Sequence, residues 1–235
     1  MLWRENRRIS SCFFDLINNI DLSEFLFYNK TTERQVGEED IVSVDKIKSV
    51  ALNLFAVHGY EGTSLSYIAE GVGIKKASIY HYFKSKEDLF LSIFDDILNA
   101  EIQHIKTIAV EIEFYTVEEK LYRIFKYYYE KNQTNKAETN FWKRAMLFSP
   151  PSLSEKIKKK FTTYEKASDE MLSAIFYEGM KRGVIKSNNI KNLLAAFYCL
   201  IDGLFVEIQY YGEKEYKPRI DSIWNVFWTG IINID

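Results

Sequence analysis

The sequence predicts an all-α fold, and three observations carry that prediction. Only 10 Gly and 3 Pro occur in 235 residues, too few breakers for the many tight turns of an all-β chain. Apolar residues recur at helical spacing along most of the chain. Residues that cap helices stand at the starts of several of these runs. A hydrophobic fraction of 47% is enough for a sizeable core, so wholesale disorder is excluded. An aromatic fraction of 16% points to thick cores, an apolar cavity or a large interface.

The elements follow in chain order. Residues 1–40 stand apart: Ile9 to Tyr28 is apolar enough for a helix, and TTERQVGEED after it is a polar linker. With five basic and eight acidic residues this segment is not a basic DNA-tracking arm. It is either an extra helix or a stretch ahead of the true start. From Val44 to His58, Ile47, Val50, Ala51, Leu54 and Phe55 recur at helical spacing, and Gly59 supplies a left-handed stop. Thr63 or Ser64 caps a short second helix with Leu65, Ile68 and Ala69 inside, interrupted by Gly71-Val72-Gly73. A third short helix runs from Lys75 to Tyr82, with Ile79 and Phe83 facing inward. Ser85 caps a long fourth helix, and Asp88 makes a shortened capping box with it. Leu89, Ile93, Phe94, Ile97, Leu98, Ile102 and Ile105 form its apolar stripe. Further helices are predicted over roughly 117–132, 138–148, 153–182, 188–212 and 217–233, with breaks at Pro150-Pro151, Gly183 and Pro218.

Charge and composition exclude several classes. The net charge of −2 and pI near 6.0 rule out a uniformly basic nucleic-acid binder, but not a small basic face. Cys12 and Cys199 are too far apart in sequence for a CxxC pair or a disulfide framework, which fits a reducing cytoplasm. The N-terminus lacks a signal-peptide cleavage site, and its apolar stretch is broken by Asp15, Asn18, Asn19 and Asp21. The longest apolar run, Leu193 to Ile201, is too short to span a bilayer, so no membrane partner is expected. His58, His81 and His104 show no metal-ligand spacing; His58 is expected at a helix end and His104 on a helix surface. Lys156 to Lys160 is expected to be a solvated helix face, and Asp95 and Asp96 to point in different directions. No Walker loop, GxGxxG turn or GxSxG elbow is present, so neither a cofactor nor catalysis is expected.

The segment Ile47 to Leu91 carries the functional signal. A helix, a two-turn helix, a glycine turn and a third short helix make a helix-turn-helix within a three-helix unit. In such a unit one helix braces across the DNA backbone while the next enters the major groove by its N-terminal end. Lys75, Lys76 and Ser78 then face base edges. Tyr80, His81 and Tyr82 offer polar tips to sugar and phosphate, and Lys84 and Lys86 add positive charge where a helix N-terminus favours a phosphate.

The run GYEGTSLSYIAEGVGIKKASIYHYFKSKEDLF resembles the DNA-binding domain of the TetR/AcrR family of bacterial transcriptional regulators. Gly59-Tyr60, Gly62-Thr63, Ile68-Ala69, Gly73, Ile79-Tyr80-His81-Tyr82-Phe83 and Lys84-Ser85-Lys86-Glu87 stand in the family's order and spacing over about 50 residues. The resemblance implies a homodimer with one recognition helix per half of a near-palindromic operator. By position it puts Lys76, Ala77, Ser78, Tyr80 and His81 at bases. It puts Thr63, Ser64, Tyr82 and Lys86 at phosphates, and Ser66 where a base is sometimes read. Ala77 departs from the Gly or Pro common there, and the 40-residue N-terminal segment is a second departure.

The domain organisation expected is 1–40 as an extra segment, 41–90 as the helix-turn-helix DNA-binding domain, and 91–235 as a larger helical effector-binding and dimerisation domain. The last two long helices carry Phe197, Leu200, Leu204 and Ile208, and Ile220, Ile223, Trp224 and Phe227. From periodicity alone such stripes are intrachain core; the resemblance makes them a dimer interface. The resemblance also implies a ligand cavity, for which Phe125, Tyr128, Tyr129, Trp142, Met146, Phe161, Tyr164, Met171, Tyr177 and Tyr198 are candidates. Each of these taken singly is as readily ordinary core. The resulting expectation is a cytoplasmic, ligand-responsive repressor released from double-stranded operator DNA by a small apolar or aromatic effector. The rival is an all-helical ligand carrier or enzyme with an incidental helix-turn-helix.

Overall fold

The computed structural model describes residues 43–234, so the expected helix at Ile9 to Tyr28 and its linker lie outside the described residues. Among the described residues the chain forms eight helices: α1 (Val44–His58), α2 (Leu65–Val72), α3 (Lys76–Ile79), α4 (Lys86–Glu111), α5 (Val117–Thr134), α6 (Lys136–Leu147), α7 (Ser154–Lys181) and α8 (Ile190–Ile231). From Val44 on they form one compact unit.

Local chemistry sets the boundaries of the first four. α1 buries Ile47, Ala51, Phe55 and Ala56 and stops at Gly59, whose φ of 73° is the left-handed value that favours glycine. Ser64 rather than Thr63 caps α2: its hydroxyl accepts from Tyr67 N–H at 3.1 Å. Gly73, at φ 84°, closes α2 by donating to the Ala69 and Glu70 carbonyls. The third helix is shorter than expected. Beyond Ile79 the amides of Tyr80, His81 and Tyr82 bond to carbonyls three residues back, at 3.2, 3.3 and 3.0 Å. This tightened geometry lets Ile79 and Phe83 both turn inward, at 0% and 5% exposure. At the start of α4, Ser85 accepts from Asp88 N–H at 3.1 Å, while the Asp88 carboxylate accepts from Lys84 N–H at 2.8 Å. The expected domain boundary at residue 90 falls inside α4, which continues unbroken to Glu111.

The other elements differ more from expectation. α5 begins with a full capping box between Thr116 and Glu119. The last two predicted helices are one hydrogen-bonded element, with Pro218 inside it. That element cannot be straight. Forty-two residues would extend about 63 Å, yet Ile185, just before it, pairs with Ile232, just after it. Tyr216 Oη donates to the Leu204 carbonyl at 2.9 Å, and Arg219 bonds Glu207 at 2.9 Å. Residues twelve apart would be separated by about 18 Å in a straight helix. α8 therefore folds back on itself between Glu207 and Tyr216, ahead of Pro218, and its two arms meet at Phe197 and Phe227 (ring centroids 5.7 Å apart).

This hairpin corrects the expected dimer stripe. Phe197, Leu204, Ile220 and Trp224 are buried within the single chain, because the two arms pack on each other and on α5 and α7. Trp224 lies against Phe125 and Tyr122, and Phe197 against Phe176. Leu200, Ile223 and Phe227 are half-buried. The side chain of Ile208 lies outside the described residues. The lysine-rich run of α7 also has an internal role: Lys156 pairs with Glu87 and Lys160 with Asp95, tying α7 to α4. Asp96 points away from Asp95 and pairs with Lys48 of α1 at 2.7 Å.

Candidate nucleic-acid interface and adjoining cavity

α2 and α3 are amphipathic in a way that sorts function from support. Leu65, Ile68, Ala69, Val72 and Ile79 are buried beneath them. Above that layer Ser64, Ser66, Lys75, Lys76, Ala77, Tyr80, His81 and Tyr82 are exposed and Ser78 is half-buried. Two tyrosines held 52% and 45% exposed, Tyr80 and Tyr82, stand beside two lysines on one short element. Burying large aromatic surface is favourable, so keeping these rings in water is a cost with no benefit inside the subunit. The arrangement presents donors and flat rings to an outside surface.

One expected contact is corrected, and a second residue has a further, internal partner. Thr63 is only 1% exposed and its hydroxyl donates to the Gly59 carbonyl at 2.9 Å. It ties the α1–α2 turn together and cannot also reach a phosphate. Lys86 is half-buried: its ammonium donates to the Tyr60 carbonyl at 2.7 Å and lies 4.0 Å from the centroid of the Tyr60 ring. It props the turn beneath the interface. Tyr67 was missed by sequence reasoning. It is 42% exposed on α2, with the His58 ring 5.6 Å away. Its place in the first turn after the Ser64 cap was the available signal.

The helix-turn-helix sits on the rest of the subunit through an aromatic cluster. Phe55 of α1 contacts Tyr60, Phe90 of α4 and Phe141 of α6, with centroids 6.0, 5.1 and 6.3 Å away. Arg144 of α6 adds a polar clamp. Its Nε donates to the Ala56 carbonyl at 2.8 Å and its guanidinium nitrogen to Val57 at 2.7 Å. These are last-turn carbonyls of α1, where the helix dipole also favours a cation.

Behind α6 lies a cavity of about 400 Å³, open to solvent on one side and lined by α4, α5, α6, α7 and α8. Of the ten aromatic and methionine candidates, Tyr128, Trp142, Met146, Phe161, Tyr164 and Tyr198 line it. The other four do not. Phe125 and Met171 are core residues, Tyr129 packs its ring on Tyr216, and Tyr177 is 62% exposed. Tyr128 and Tyr164 share a buried hydroxyl–hydroxyl bond of 2.7 Å, and burial holds both phenols well above their ordinary range. Tyr198 donates to Asp169 at 2.7 Å. Sequence reasoning missed the polar lining: Glu101, Thr139, Lys143 and Asp202. Glu101 was legible, since it stands four residues after Ile97 and four before Ile105, within an apolar stripe. It receives Lys131 and the Tyr127 hydroxyl. His104, expected on the surface, is half-buried with its ring stacked on Tyr127 at 3.7 Å.

The model of the bacterial regulatory proteins of the tetR family matches residues 47–93, which are the helix-turn-helix and the start of α4. Through this segment the chain is similar to the DNA-binding part of that family. Over 46 residues it is 50% identical to IcaR of Staphylococcus aureus, the negative transcriptional regulator of the biofilm operon icaADBC. That match takes in 20% of this chain and 25% of the relative, so the chain matches about a quarter of the relative's length. The fold is similar to that of the transcriptional regulator FadR from Bacillus subtilis, solved with stearoyl-CoA (TM-score 0.65, 20% identity, 80% of this chain and 100% of that one). It is similar too to a Saccharomonospora viridis protein solved with choline (TM-score 0.68, 20% identity, 80% and 97%). A long acyl thioester and a small quaternary ammonium in two proteins of this one fold mean that the fold by itself does not select a ligand.

Proposed function

We propose that this protein is a TetR-type, ligand-responsive transcriptional repressor that binds a near-palindromic operator as a homodimer and leaves it when an effector enters the cavity. The observation that carries this reading is the outward face of α3 and the turn after it. Lys75, Lys76, Tyr80, His81 and Tyr82 are exposed there over a fully buried Ile79. In this reading Lys76, Ala77, Ser78, Tyr80 and His81 meet base edges, while Ser64, Tyr67 and Tyr82 hold the backbone. The domains act as 41–90 for DNA and 91–235 for effector and dimer contacts, with α4 shared between them. The dimer forms through the outer faces of the α8 hairpin, where Leu200, Ile223 and Phe227 are half-exposed and Val226 is 76% exposed.

The release mechanism follows from α6. One helix contributes Trp142, Lys143 and Met146 to the cavity wall and Arg144 to the end of α1. An effector that shifts α6 shifts the helix-turn-helix with it, and two recognition helices that no longer sit about 34–36 Å apart cannot both engage. Effector and operator then oppose one another by a single coupling free energy, about 1–3 kcal/mol.

The test is fluorescence anisotropy of labelled duplex from upstream of the protein's own gene, beside a random duplex of equal length, at two salt concentrations. Preferential binding that weakens steeply with salt is expected. Tyr80→Ala should weaken it by about 1–3 kcal/mol with thermal stability unchanged. Equal affinity for both duplexes would overturn the reading.

A further inference from the structure

The cavity's polar groups fall into two sets. Some are matched within the chain: Glu101 with Lys131 and Tyr127, Tyr128 with Tyr164, Tyr198 with Asp169. Two that are shielded from solvent are not. The Lys143 ammonium and the Thr139 hydroxyl are shielded from solvent and have no hydrogen-bond partner among the described residues. They are four residues apart on α6 and therefore on one face of it. Burial without a partner pushes the Lys143 amine below its ordinary range. The Phe205 ring centroid, 5.9 Å from its Nζ, offers a cation–π contact only at the limit of its reach.

Carboxylates also line the cavity, and they would favour a cation. Glu165 and Asp202 are exposed, however, and Glu138 is half-buried. Water satisfies an exposed carboxylate, whereas Lys143 Nζ and Thr139 Oγ1 have little accessible surface and no hydrogen-bond partner among the described residues. The Lys143 ammonium can only donate and the Thr139 hydroxyl beside it can also donate, so one acceptor would serve both. The surrounding wall of Ile97, Trp142, Phe161 and Ile201 defines the remainder as apolar.

We propose that the effector is an amphiphilic organic anion, an apolar or aromatic body bearing a carboxylate that Lys143 and Thr139 receive. This rests on the reading of the cavity as the effector site and narrows its ligand to one chemical class.

Three probes of equal chain length decide it: decanoate, decanol and decyltrimethylammonium, titrated calorimetrically into the full-length protein below micelle-forming concentrations. Decanoate should bind at least about tenfold more tightly than either of the others, as expected for a charge-assisted hydrogen bond. In Lys143→Met the decanoate-to-decanol ratio should fall to about one, and in Lys143→Arg the preference should persist. Comparing a ratio removes any general effect of the substitution on folding. Equal affinity for decanoate and decanol in the unaltered protein, tightest binding of decyltrimethylammonium, or no binding by any probe would each overturn the proposal. The same titrations read by anisotropy on upstream DNA separate it from the repressor reading. A decanoate preference with no DNA response supports the anion site and overturns the effector role. A DNA response to all three probes alike does the reverse.

Discussion

The helix-turn-helix and the cavity region treat buried polar groups in opposite ways. From Val44 to Phe90, every buried polar side chain described has a partner. Thr63 bonds Gly59, Lys86 bonds Tyr60, and the caps Ser64 and Ser85 hold backbone amides. The buried polar atoms without partners, on His104, Gln133, Thr139, Lys143 and Ser149, all lie in α4, α5, α6 and the turn after α6. An unmatched buried donor costs about 1–3 kcal/mol. The first region is therefore complete as it stands and suited to carrying a fixed surface to a rigid duplex. The second is incomplete, and a ligand that matches its orphan groups recovers part of that cost.

The largest expected effect tests the complete region. Phe55→Ala should destabilise the protein by about 3–5 kcal/mol, because a fully buried ring is lost from between α1, α4 and α6. Chemical denaturation measures it. Phe161→Ala, in the half-exposed cavity wall, should cost clearly less. Equal losses at the two sites would remove the contrast between a tight head and a loose cavity.

A smaller effect sharpens the link between the regions. Arg144→Ala removes two charge-assisted bonds to the end of α1 and should cost about 1.5 kcal/mol of stability. Its more telling consequence is on coupling: decanoate should still bind, but with less effect on DNA affinity. Measuring DNA binding with and without decanoate in both proteins gives the coupling directly. An unchanged ratio would mean that the signal travels through α4 instead.

Legibility from sequence divides along the same line. The head was readable because each of its boundaries is fixed by local chemistry: Gly59 and Gly73 at positive φ, Ser64 and Ser85 as caps, Ile79 and Phe83 as inward anchors. What failed there was the use of Thr63, since a hydroxyl suited to phosphate is equally suited to a nearby carbonyl. The hairpin of α8 was not readable, because the bend precedes Pro218 and is fixed by contacts across twelve residues, Tyr216 to Leu204 and Arg219 to Glu207. That same fold-back turns Phe197, Leu204, Ile220 and Trp224 inward. In the cavity the aromatic half was legible as a group. Lys143 and Thr139 were not, because only the packing of five helices makes an ordinary lysine and threonine into orphans.

The smallest expected effect concerns pH and again falls in the incomplete region. His104 is stacked on Tyr127, and its Nε2 has no partner among the described residues. Burial lowers its pKa from the ordinary 6.5; Glu101 and Glu111 pull it back up, and Lys131 lowers it further. A histidine with a depressed pKa in the folded state takes up its proton more readily when unfolded. Its neutral form therefore costs nothing at pH 8, and stability falls as pH drops through about 6.5 toward the depressed folded value. Below that value the loss levels off. His104→Gln keeps a polar side chain of similar reach without a titrating group, so it should flatten the stability profile between pH 7 and pH 5. Thermal melts across that range measure it. A slope that survives His104→Gln would assign the acid sensitivity to other groups whose folded pKa lies below the unfolded one; Asp202 is not among them, because its raised pKa makes stability rise as pH falls.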